Sequence, residues 1–131
     1  MNRYQSLINE CLTDTRHVEN AALLKSCAST HVTVAASARF KISVHQQGET
    51  LADSFKDLTA TRAQGISFQG KAYTCVKADK NSVYCKWGQH GLILVKTVQN
   101  VVVATYDDNM YPSVCVEAAE KLGEYLRVKG K

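Results

Sequence analysis

The chain has 131 residues and a net charge of +4, with 45% hydrophobic and 21% charged residues, a balance that suits one self-sufficient core and excludes a disordered or low-complexity chain. Its longest apolar runs, such as Leu92 to Val95 and Val101 to Ala104, are strand-length and far below the ~18 residues of a membrane-spanning helix. A single domain over residues 1–131 is expected, with the modest excess of cations pointing to an anionic partner.

Tyr4, Leu7, Ile8, Cys11 and Leu12 recur at i, i+3, i+4, i+7 and i+8, which puts an apolar stripe on one side of an N-terminal helix. The segment meets Glu10 before any apolar run forms, so it does not read as a signal peptide, and a cytoplasmic location is expected. Ala21 to Leu24 and His31 to Ala36 read as two strands with a tight connection between them. Leu51, Phe55 and Leu58 then recur at helical spacing after Gly48, which predicts a second helix over residues 45–60.

From Gly65 the pattern changes to short strand-like runs: Ile66 to Phe68, Lys71 to Lys77, Ser82 to Lys86, Leu92 to Thr97 and Val101 to Tyr106. Turn-forming residues separate them, so the strands are expected to pair antiparallel as a meander. The last segment is helical, with Val114, Ala118, Leu122, Tyr125 and Leu126 on one face and the only proline, Pro112, at its start. Gly123 inside this helix costs roughly 1 kcal/mol relative to Ala and marks a close contact of the helix. The whole is an α+β fold: an antiparallel β-sheet with N- and C-terminal helices packed on it.

Little of the sequence suits catalysis or metal binding. The five cysteines are odd in number, far apart and free of CxxC spacing, so they read as reduced thiols. Cys85 with His90, or Asp107 with Asp108, are the only pairs an enzyme could use, and neighbouring carboxylates in a turn are ordinarily just solvated. His17, His31, His45 and His90 lack ligand spacing. No enzyme, cofactor or metal is expected. Nucleic acid is not expected either, because the basic residues are not interleaved with stacking aromatics.

Two cationic groups remain. Lys121, Arg127, Lys129 and Lys131 crowd the end of the last helix, where they also complement its dipole. Lys71, Lys77, Lys80, Lys86 and Lys96 lie on or near the hairpins, where lysine also protects sheet edges.

The stretch KNSVYCKWGQHGLILVKTVQNVVVATYDDNMYPSVCVEAAEKLGEYL, Lys80 to Leu126, resembles the C-terminal half of profilins, and YQSLI, AALL and GISFQGKAYTCVKAD carry the resemblance to the N-terminus. Met110 to Gly130 is most similar to the divergent, testis-type fourth vertebrate isoform. The resemblance implies a small cytoskeleton-associated protein, monomeric, that offers one face to actin, a groove between its terminal helices to poly-proline, and basic residues to phosphoinositides. It aligns the family's groove aromatics with Tyr4, Leu7 and His31, leaving Tyr125 as the clear retained ring. Flat rings are what hold a preformed polyproline II ridge, so an eroded groove and poor poly-proline binding are expected. Actin-face positions that the resemblance matches are Lys71, Lys77, Lys86, Asn109 and Glu117, while Trp87 replaces a lysine and Ser113 a glycine. Actin binding is therefore expected to be weakened or lost, with acidic phospholipids (phosphoinositides, phosphatidic acid) the main partner through Lys121, Arg127, Lys129 and Lys131. The alternative is a conventional profilin that binds and sequesters actin monomers.

Overall fold

The computed structural model describes residues 3–27, 30–36, 51 and 53–131. Helix α1 (Arg3–Cys11) opens the chain and leads through a 3-10 turn (Thr13–Thr15) to strands β1 (Asn20–Cys27) and β2 (Thr30–Ala36). Helix α2 (Leu58–Gln64) precedes the meander β3 (Ile66–Phe68), β4 (Lys71–Ala78), β5 (Ser82–Trp87), β6 (His90–Lys96) and β7 (Asn100–Tyr106), and α3 (Pro112–Val128) closes the fold. The strands form one antiparallel sheet in the order β2-β1-β7-β6-β5-β4-β3. The expected elements appear within three residues of their predicted bounds, with one exception.

That exception is the second helix. Residues 45–50 and 52 of the predicted span lie outside the described residues, Leu51 and Asp53 are helical as expected, and residues 54–56 form a turn. Asp57 then starts a separate helix: its side-chain Oδ1 accepts the Ala60 N–H at 3.1 Å, so Leu58 begins α2 where the periodicity had placed it near a helix end. Arg62 fastens α2 to the sheet by donating from Nε and Nη2 to the Ala78 carbonyl, at 3.0 and 2.6 Å.

β6 and β7 read as continuous apolar runs because the sheet is covered on both faces. Along β7, Val101 and Val103 join a cluster with Leu24, Leu51, Phe68 and Leu92, against which Phe55 and Leu58 pack. Val102 and Ala104 point the other way, into a cluster where Ile8 from α1, Leu12 just after it, and Cys115, Ala119, Leu122 and Leu126 from α3 cover Ile93 and Val95. Both terminal helices thus share one face. At Gly123 α3 packs tightly on the sheet: a Cβ there would lie 2.5 Å from Val95 Cγ1. Gly91 plays the same part opposite Tyr106, whose ring occupies the space above it.

The corner before α3 is pinned from outside the helix. Pro112 sits in its first turn, and the preceding Tyr111 has no capping side chain. Instead the Tyr111 N–H donates to His17 Nδ1 at 3.2 Å and the two rings stack with centroids 5.2 Å apart.

Candidate functional site

Because α1 and α3 lie side by side on one face, a groove of about 520 Å³ runs between them, lined by Leu7, Cys11, Thr15, Val114, Glu117, Ala118, Lys121, Leu122 and Tyr125. Its floor is aliphatic. Of the groove residues named from sequence, the structure brings Leu7 and Tyr125 onto these walls and places Tyr4 half-buried on α1. His31 lies on β2 opposite Ser26. Lys131 Nζ stands over the Tyr4 ring at 5.6 Å and Lys129 Nζ over the Tyr125 ring at 5.8 Å, so a peptide seeking either ring must displace a cation worth ~0.5 to 1 kcal/mol.

The four cations named at the end of the last helix do not form one cluster. Lys121 sits on the groove, its Nζ 2.8 Å from Glu117 Oε1, because positions four apart on a helix are neighbours. That pair holds the Glu117 carboxyl below and the Lys121 ammonium above their ordinary values. It also joins a residue expected on the actin face to one expected in the lipid site. Arg127 is turned away from Lys121 and is tethered to the sheet. Its Nη2 donates to the Lys96 carbonyl at 2.9 Å, Glu124 stands 3.5 Å from Nη1, and the side chain is only 29% exposed. Lys131 is fixed through its main chain, whose oxygen accepts from Thr97 Oγ1 (3.0 Å), Asn100 Nδ2 (2.9 Å) and the Gln99 N–H.

These tethers assemble a different cationic surface. Arg127 meets Lys77 and Lys80 beside the β4–β5 turn, and Lys80 and Lys96 beside the β6–β7 turn. They form a basic end, in which Val98 stands 64% exposed, while the Lys129 and Lys131 ammonium groups lie over Tyr125 and Tyr4. The acidic residues there are largely engaged. Asp79 accepts the N–H groups of Asn81 and Ser82, which hold its carboxyl below the usual range with further help from Lys77 at 3.5 Å. Glu120 accepts from Ser82 Oγ (3.0 Å) and Tyr84 Oη (2.7 Å); burial, and then Glu120, pushes the Tyr84 phenol up to about 12. Lys80 and Lys96 make no ion pair with the described residues.

The remaining actin-face candidates divide between two sides of the sheet. Lys71 Nζ lies 4.5 Å from the Trp87 ring centroid, and Trp87, 39% exposed, leans on Tyr73 and His90. Tyr73 belongs to the cluster on the face away from the groove, so Trp87 is remote from it. Lys77 reaches over Tyr84, and Lys86 and Asn109 are exposed. The two pairs weighed for catalysis are not brought together. Cys85 faces Cys75 across the ladder while His90 leans against Trp87, and Asp107 forms a turn by accepting the Asn109 N–H at 2.9 Å. Among the described residues there is no group of three metal-ligating side chains. Sequence reasoning missed His17 and Glu120, whose partners lie far off in the chain.

A family model described as Profilin matches residues 2–131. Profilin-4 of Mus musculus is 45% identical over 131 residues, covering 99% of each chain, and Profilin-2 of Acanthamoeba castellanii is 35% identical over 127 residues, covering 97% of this chain and 98% of that one. The crystal structure of Acanthamoeba castellanii profilin II superposes with a TM-score of 0.86 at 34% identity, over 98% of this chain and 99% of that one. A mouse profilin IIa in complex with a double repeat from the FH1 domain of mDia1 superposes with a TM-score of 0.77 at 17% identity, over 99% of this chain and 100% of that one, a likeness of fold.

Proposed function

The chain belongs to the profilin family of cytoskeletal regulators, and on that premise we propose that its principal activity is docking on membranes rich in phosphatidic acid or phosphoinositides, with actin-monomer and poly-proline binding weakened. The observation that carries this reading is the basic end, where Lys77, Lys80, Lys96 and Arg127 converge beside exposed Val98. Near an anionic surface each cation contributes on the order of 1 kcal/mol within a Debye length of about 8 Å, so several reach useful affinity without a deep pocket. The protruding valine adds apolar area that a headgroup layer accepts.

The weak-groove part rests on Tyr125, among the described residues the one ring on the groove wall, with Lys129 above it. The weak-actin part rests on Trp87 in place of a cation and on Glu117 being drawn to Lys121. A conventional actin-binding reading keeps some support from Lys71, Lys86 and Asn109, all exposed. Co-sedimentation with phosphatidylcholine vesicles, with and without phosphatidic acid, alongside pyrene-actin polymerisation, separates the two. The proposal expects binding only to the acidic vesicles and little slowing of polymerisation by equimolar protein. Strong inhibition without vesicle binding selects the conventional reading.

A further inference from the structure

We propose that Cys75 and Cys85 are a dithiol–disulfide couple, closed across the β4–β5 ladder by a peroxide-class oxidant and reopened by thiols. The two residues sit directly opposite one another in the antiparallel pairing, and both belong to the same face, Cys85 inside the apolar cluster and Cys75 packed against it. Directly opposed residues of an antiparallel pair have Cα atoms about 4.5 to 5.5 Å apart, inside the range of about 4.4 to 6.8 Å that a disulfide spans. Their Cβ atoms ordinarily stand about 1 Å too far apart, so the strands must draw together slightly. The register shift between Cys75 and Lys77 supplies that freedom next to the bond, since a bulge is a local break in the ladder.

The thiols already interact. Cys75 Sγ donates to the Lys77 carbonyl at 3.4 Å, and Cys85 in turn hydrogen-bonds the Cys75 sulfur. Burial, and then the neighbouring Cys75, pushes the Cys85 thiol up to about 12, so Cys85 is a poor first nucleophile. Cys75 is half-exposed where Cys85 is only 2% exposed, and it is the sulfur an oxidant reaches first. The Cys75 thiolate attacks one oxygen of hydrogen peroxide, the O–O bond breaks, and hydroxide leaves to take up the thiol's proton as water. The resulting sulfenic acid is then attacked by Cys85; the S–O bond breaks and the second oxygen departs as water with the Cys85 proton. Two thiols and one peroxide become one disulfide and two waters. The cross-link encloses the β4–β5 turn and with it Lys77 and Lys80. Cys11 and Cys115 lie in or against the core cluster on the other face of the sheet and do not compete.

The test is to expose the full chain to hydrogen peroxide, cap remaining thiols with maleimide under denaturing conditions, and map the peptides. The expected result is a monomer that has lost two hydrogens and both maleimide labels at Cys75 and Cys85, with those two peptides joined and the loss reversed by dithiothreitol. Amides of β4 and β5 should exchange more slowly in the oxidised form. In Cys85→Ser, dimedone should trap a sulfenic acid at Cys75; in Cys75→Ser, Cys85 should stay reduced. The inference is overturned if both residues keep their labels under excess peroxide, if Cys75 goes to sulfinic acid without a link, or if either joins another cysteine or a second chain.

Discussion

Replacing Gly123 by alanine sets two effects against each other, and the structure says which wins. Within a helix, Gly→Ala gains roughly 1 kcal/mol from lost backbone entropy. Here the added Cβ would sit 2.5 Å from Val95 Cγ1 and 3.6 Å from Val95 Cβ, on the buried face where α3 meets β6. A β-branched core side chain cannot swing away, so α3 must lift by roughly 1 Å or Val95 must leave its rotamer, an overpacking cost of about 1 to 3 kcal/mol. The balance is a loss of about 1 kcal/mol, which for a domain of this size lowers Tm by roughly 3 to 6 °C. Val95→Ala alone costs about 2 kcal/mol in lost burial, but it makes room for the new methyl, so the double substitution should be less destabilising than the sum by at least ~0.5 kcal/mol. Thermal and urea unfolding of the four proteins measure the cycle. A Gly123→Ala protein more stable than the parent, with no coupling to Val95, would refute the close approach of α3 to β6.

Three further outcomes follow from the site. Arg127→Ala should destabilise by about 1 to 2 kcal/mol, because it leaves the Lys96 carbonyl without its charged donor; an unchanged urea midpoint would show the contact to be idle. Tyr84 keeps its proton up to about 12 when folded, against an ordinary 10.0. The unfolded chain therefore sheds that proton first, and the stability Tyr84 contributes, intact below pH 10, falls as pH rises from 10 to 12. Tyr84→Phe should flatten this part of the alkaline unfolding profile, and an unaltered profile would assign it to other groups. Oligoproline titrated against tyrosine emission should give no saturable change at low micromolar concentration; Trp87 is on the wrong face to report it, and a clear saturation curve would mean the groove is intact.

The fold was largely legible because its elements advertise themselves by periodicity. The stripe from Tyr4 to Leu12, the continuous apolar β6 and β7, and Pro112 before an amphipathic segment each have a single local reading. Leu58 did not, because the Asp57 cap outweighs a weak three-residue helical repeat. The site was less legible for a different reason. Lys121 and Arg127 are six positions apart, a spacing that puts them on different sides of a helix, while Arg127 and Lys96 meet only through the packing of α3 on β6. Sequence proximity groups Arg127 with Lys121, whereas in the fold Arg127 shares a surface with the hairpin residue Lys77. Nothing local marks Glu120 as the acceptor for Ser82 and Tyr84 or His17 as the seat of Tyr111, since both pairings span much of the chain.

The most direct test of the membrane reading compares two charge variants on vesicles containing phosphatidic acid. One replaces Lys77, Lys80 and Lys96 by alanine, leaving the tethered Arg127 in place; the other replaces Lys71 and Lys86, outside the basic end. Three cations at on the order of 1 kcal/mol each predict roughly a hundredfold weaker partitioning for the first, with a shallower salt dependence, and little change for the second. Vesicle binding that survives the first set and disappears with the second would contradict the account and make the surface around Trp87 the membrane face.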